Sequence, residues 1–116
     1  MSAIAPNRVT KVKAESLLYT FNFTKLMAST SETITGDPTV KEIDQNDADV
    51  SQSELNFGTP AATTAEVTVD EETIPTGQGV QVRISDGERK SSYTVRCTVA
   101  TSLSNTRVLD GIIEVV

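Results

Sequence analysis

The chain has no histidine and no tryptophan, one cysteine, two tyrosines and three phenylalanines in 116 residues. Without histidine there is no imidazole to activate a serine or cysteine nucleophile, and no metal-ligand spacing takes its place, so catalytic, cofactor-binding and metal-binding residues are all expected to be none. A single cysteine cannot close an internal disulfide, so the fold does not depend on an oxidising compartment. Cys97 falls on the inward side of its strand and reads as a buried structural residue. The shortage of aromatic rings removes the stacking platforms expected of a sugar site and leaves the core to valine, isoleucine and leucine. Positive charge is also short. The formal net charge of −6 disfavours phosphate partners, so neither nucleic acid nor an anionic membrane surface is expected. No apolar run is long enough to span a bilayer, and Met1–Pro6 lacks the charged-then-apolar pattern of a secretory leader. The expected place of synthesis and assembly is therefore a cytoplasm.

What is present is β-strand grammar, most clearly from Val80 to Val116. Ser91–Thr101 alternates Tyr93, Val95, Cys97 and Val99 against Thr94, Arg96 and Thr98, the period-two mark of a strand with one buried face. Val80–Ile84 precedes it, separated by a Ser85-Asp86-Gly87 turn signal. Ser102-Leu103-Ser104-Asn105 closes the pair with Arg107–Val116. In that last strand Leu109, Gly111, Ile113 and Val115 share one face. The other carries Asp110 and Glu114 but also Val108, Ile112 and Val116. A strand apolar on both faces exceeds what a half-exposed sandwich needs. Either a neighbouring loop or arm covers the second face, or another subunit does.

Upstream, Leu17–Thr24 is a strand with Leu17, Tyr19, Phe21 and Phe23 on one face. Residues 1–13 read as a loose N-terminal arm, in which Arg8–Lys13 could form a short strand through Val9 and Val12. The domain proper is then 14–116. Asn22-Phe23-Thr24 matches a glycosylation sequon and is read as accidental. Lys25–Ser29 is the one candidate for a helical turn. Gly36-Asp37-Pro38 signals a turn or bulge between extended stretches at Glu32–Thr35 and Thr39–Ile43. Asp44–Ser53 reads as an exposed acidic loop, because its spacing lacks the glycine and the closing glutamate of a calcium loop. Asp70-Glu71-Glu72 reads as a solvated strand end, and the glycines of Ile74–Gly79 as turn residues without a phosphate-loop ending. About seven or eight strands with turns at sandwich spacing give an all-β, immunoglobulin-like β-sandwich. Tyr93 stands where a tyrosine corner would tie its hydroxyl to upstream backbone.

Two blocks at opposite ends of the chain carry a family resemblance. One is Lys13 to Phe23 (Lys-Ala-Glu-Ser-Leu-Leu-Tyr-Thr-Phe-Asn-Phe), followed by Glu32-Thr33-Ile34. The other is Val80–Ser85 with Asp86-Gly87, then Tyr93-Thr94-Val95, Thr101-Ser102, and Arg107 through Asp110 to Ile113 and Val115. Together they resemble small tailed-bacteriophage virion proteins, β-sandwich modules of the head, neck or fibre region. The chain departs from the usual pattern at Ala14, Asn22, Ser31 and Asp86, where proline, aspartate, glycine and glycine are customary. The resemblance implies a structural virion protein assembled in the host bacterial cytoplasm. A head decoration (cement) or neck protein comes first, and a baseplate or fibre adaptor after it. It also implies other virion proteins as partners (major capsid, connector or tail proteins), with several copies in the particle, so a homo-oligomer. The contrasting reading is a module that binds a host-surface receptor or glycan through loops such as Asp44–Ser53 and Gly77–Gly79. For the assembly role the expected interface is Ile4, Val9 and Val12 of the arm with Val108, Ile112 and Val116.

Overall fold

The alternation along the C-terminal half becomes three long strands, β9 (Gly79–Asp86), β10 (Ser91–Thr101) and β11 (Thr106–Val115). A computed structural model describes residues 4–5, 8–29 and 31–116. Among them are eleven strands in all and one short 3-10 turn, Thr24–Leu26. The eight earlier strands are β1 (Ile4–Ala5), β2 (Arg8–Lys11), β3 (Leu17–Asn22), β4 (Ile34–Ile43), β5 (Leu55–Phe57), β6 (Ala61–Ala62), β7 (Val67–Val69) and β8 (Glu72–Ile74). One sheet runs β1-β3-β9-β5, with β6 continuing the β5 edge along β9, and the second runs β2-β11-β10-β4. The β7–β8 hairpin forms a small sheet of its own. The expected β-sandwich is therefore the fold.

Between the two sheets lies a core of Tyr19, Phe21, Val80, Val82 and Ile84 from the first and Tyr93, Val95, Cys97, Val99, Ile113 and Val115 from the second. Each such aliphatic side chain contributes roughly 1.5–3 kcal/mol on burial. The rings of Tyr19 and Phe21 meet edge to face, with centroids 5.0 Å apart. Burial pushes the Cys97 thiol up to about 12, which makes it inert at neutral pH. The Tyr93 hydroxyl accepts from the backbone N–H of Glu88 (2.7 Å) and donates to the Glu54 carboxylate (2.7 Å). This is the upstream backbone tie that the sequence pattern suggested.

Of the residues expected in the arm, Ile4–Ala5 and Arg8–Lys11 are strands that serve both sheets, and the short strand expected within Arg8–Lys13 is present as β2. β1 pairs in parallel with β3, and β2 pairs in parallel with β11, placing Val9 opposite Ile113 and Lys11 opposite Val115. Ile4 and Val9 are fully buried, so the interior uses two of the residues assigned to an interface. Met1–Ala3, Pro6 and Asn7 of the expected arm lie outside the described residues. Lys11 is buried as well. It is only 1% exposed, and its Nζ donates to the carbonyls of Val12 (2.9 Å), Lys13 (2.9 Å) and Asp86 (2.7 Å). One buried ammonium thus ties the end of β2 to the β9–β10 turn, with three acceptors offsetting its desolvation.

The Gly36-Asp37-Pro38 signal is a bulge rather than a turn. Thr98 faces Thr39 while Ala100 faces Thr35, so β10 spends one residue where β4 spends three. Gly36 takes φ +68° there, a conformation that glycine adopts without strain. The hairpin β7–β8 likewise resolves the Asp70-Glu71 cluster. Both residues have positive φ (51° and 67°), the backbone of a tight two-residue turn.

Candidate functional site

The outer face of the second sheet is built from the alternation partners of the core. Leu109 (half-buried), Gly111, Ile113 and Val115 face inward on β11, and the alternate residues on its outer face and just beyond its end include three aliphatics, Val108, Ile112 and Val116. Val108 is 45% exposed and Val116 53%, while Ile112 is half-buried between Thr94 of β10 and Arg8 of β2. Beside them the Arg8 guanidinium pairs with the Glu114 carboxylate. Val12, 51% exposed, leaves β2 next to Val116. Together with Ala14, Lys13, Asp86 and Arg89 these two valines line an open hollow of about 680 Å³ at the end of the sheet. A second hollow, holding Lys90 and Ser92, adjoins it across Val116. The structure thus brings together Val12 and Val116, leaves Val108 and Ile112 along the same face, and removes Ile4 and Val9 to the interior. Ala14, Arg89 and Lys90 escape a sequence reading. They sit in turns, and only the pairing of β2 with β11 carries them to one place.

The other half of this face is closed by the acidic loop. Asp44 accepts from the backbone N–H groups of Asn46 (2.8 Å) and Ala48 (3.1 Å), curling the loop on itself. Arg96 then holds the loop down. Its guanidinium donates to Asp110 through Nε (2.8 Å) and Nη2 (3.0 Å), and to Asp47 through Nη2 (2.6 Å). These carboxylates hold the guanidinium pKa above its ordinary value. Lys41 pairs with Asp49 at 2.9 Å. The carboxylates that suggested a cation site therefore serve loop closure, and Ile43 is buried beneath them. In the other loop of the receptor-binding reading, Gln78 and Gly79 are buried. Gln78 donates from Nε2 to the carbonyls of Ser29 (2.9 Å) and Glu32 (3.0 Å), which is structural work.

One polar cluster is unforeseen. The Glu32 side chain is fully buried just before β4, and each of its oxygens accepts twice. Oε1 takes the N–H of Ala28 (2.7 Å) and Nη2 of Arg107 (3.0 Å), and Oε2 takes Oγ1 of Thr101 (2.6 Å) and Nδ2 of Asn105 (2.9 Å). The Arg107 guanidinium, with the other donors, holds the carboxyl well below its ordinary range. With its lone pairs occupied, Glu32 is a poor proton acceptor for any substrate. It is instead a clasp between residues 28–32 and the β10–β11 turn. The sequon asparagine is similarly engaged, donating from Nδ2 to Glu72 (2.9 Å) and accepting from the N–H of Thr24 (3.0 Å). No cluster of three or more potential metal ligands occurs among the described residues, and no helix among them is long and apolar enough to cross a membrane.

What stands out is a sheet face with exposed aliphatic side chains, Val12, Val108 and Val116, flanked by charged residues. Comparison with the curated proteins finds no match. The family model described as podophage GP4 fiber-tail adaptor protein gp77 matches residues 11–113, nearly the whole sandwich, and the chain belongs to that family.

Proposed function

We propose that this chain is a non-enzymatic linker that joins a phage tail to its fibre by protein–protein contact through the outer face of the second sheet. Membership in the adaptor family makes it a structural component of the phage virion, in the tail region. The head-decoration and neck positions that headed the sequence reading find no support in that family. The observation that carries the contact surface is the exposure of Val108 and the half-exposure of Ile112 on a strand whose other face already fills the core. A sheet face with no partner would carry polar residues there. The Arg96–Asp110 and Arg8–Glu114 pairs border this strip and give a partner a charged rim to register against. Assembly onto the particle takes place in the host cytoplasm, and no small molecule is needed.

The test is binding of the purified chain to tails prepared without it, followed by sedimentation. Wild-type chain is expected to bind saturably at a whole-number ratio to the tail. Val108→Asp sits on an exposed position, so it should keep its circular dichroism spectrum and melting point. It should bind about tenfold or more weakly, because an unpaired carboxylate would be desolvated in the contact. Ile112→Asp should act in the same direction. Undiminished binding by both variants would exclude this face.

A further inference from the structure

The charges of this chain are segregated along its length, and the fold converts that into two unlike ends. From residue 42 to residue 82 there are nine carboxylates and no lysine or arginine. The part of this run that stands apart from both large sheets is the β7–β8 hairpin. It carries Glu66, Asp70, Glu71 and Glu72, and its Val67 and Val69 are only half covered. A two-stranded hairpin alone is marginally stable in water and gains from a surface that covers it. Buried Ile74 anchors its base, and the bond from Asn22 to Glu72 holds it beside the turn, leaving Asp70 and Glu71 exposed at the tip.

At the opposite end is the hollow of Val12, Ala14 and Val116. The hairpin adjoins the Asn22–Gly79 pair of β3 and β9, whereas the hollow adjoins Asp86 at the other end of β9. Eight residues of strand, at about 3.3 Å each, separate them by about 25 Å, so a hairpin cannot reach the hollow of its own chain. The charges at the hollow differ from those of the hairpin. Lys13 is held loosely by Glu88 at 3.5 Å. Arg89 and Lys90 are exposed and have no carboxylate within ion-pair distance among the described residues. Asp86 also lines the hollow, and its backbone carbonyl is engaged by Lys11.

We infer that copies of this chain associate head to tail, the acidic hairpin of one seated in the apolar hollow of the next with Asp70 and Glu71 against Arg89 and Lys90. Val67 and Val69 would cover Val12 and Val116. The contact is heterologous, since the two patches differ, and it closes into a ring when the rotation between copies allows. The inference rests on the proposed linker role in one respect: it gives the Val12–Val116 end of the surface to a second copy and leaves Val108 and Ile112 to the unlike partner.

Sedimentation velocity of the full chain from micromolar to millimolar concentration tests it, with two variants. Asp70→Asn/Glu71→Gly removes the tip charge and suits the turn conformation, so the hairpin is retained. Arg89→Glu/Val116→Asp changes only exposed residues of the hollow. Wild-type chain is expected to grow with concentration and to dissociate with salt, because the pairs are solvent-accessible. Each variant alone should self-associate at least about tenfold more weakly. Mixed together, the two should form a one-to-one dimer that grows no further, through the single intact hairpin–hollow pair. A wild-type chain that remains monomeric throughout overturns the inference, as does association that both variants preserve. If the monomer still binds tails and the hollow variant does not, the hollow belongs to a different virion protein. The self-association is then refuted while the linker role stands.

Discussion

Replacing Lys11 by methionine isolates what the buried ammonium does, because methionine keeps most of the stem volume and deletes the charge and the three donors. A hydrogen bond from a charged donor is worth at least about 1.5 kcal/mol net, so the three bonds to Val12, Lys13 and Asp86 together amount to about 4.5 kcal/mol. Against this, the variant no longer strips water from an ammonium, a relief on the order of a few kcal/mol that offsets much of that sum. The Val12 carbonyl also keeps the N–H of Glu15 at 2.9 Å. The expected outcome is a net loss of about 2 kcal/mol, or a melting point lower by about 8 °C for a domain of this size. Urea unfolding should show a lower midpoint with an unchanged slope. Hydrogen exchange should accelerate at the amide of Val116, which donates to Lys11 O at 2.9 Å. A variant as stable as wild type, or more stable, would refute the reasoning: the carbonyl cage would then be no better for the ammonium than water is.

The remaining expectations concern acid stability and the N-terminal strands. The Glu32 carboxyl has its pKa lowered from the ordinary 4.5 by Arg107 first, then by Thr101, the Ala28 N–H and Asn105. Its contribution is thus complete above the unfolded value and is lost as pH falls below it. Wild-type stability should therefore decline from about pH 5 downwards, and Glu32→Gln should be less stable at neutral pH but show a flatter acid limb in pH-dependent melting. Deleting residues 1–13 would remove Val9 from the core and expose the edges of β3 and β11. The shortened chain is expected to lose its cooperative transition and to aggregate through those edges, which calorimetry and light scattering would report.

The sequence by itself determined which residues face inward on β3, β9, β10 and β11, because alternation along a strand is local and a one-residue slip would turn the whole apolar set to water. It also marked the excess of aliphatic residues on the outer face of β11, the turn at Asp86-Gly87 and an irregularity, turn or bulge, at Gly36-Asp37-Pro38. Each of these depends on neighbours a few positions away. The tertiary structure alone decided the rest. Val9 reads as an arm residue until β2 lies parallel to β11, a partner roughly a hundred positions distant that no local pattern specifies. Lys11 and Glu32 look like ordinary surface charges in the chain. Burying either is unfavourable unless donors and acceptors converge, and those come from Asp86, Thr101, Asn105 and Arg107, far along the sequence. The two stretches that carried the family resemblance likewise have no visible relation until Glu32 in one accepts from Thr101 and Arg107 in the other. Hydrophobic alternation is written residue by residue, whereas the partner of a buried charge exists only once the sheets have paired.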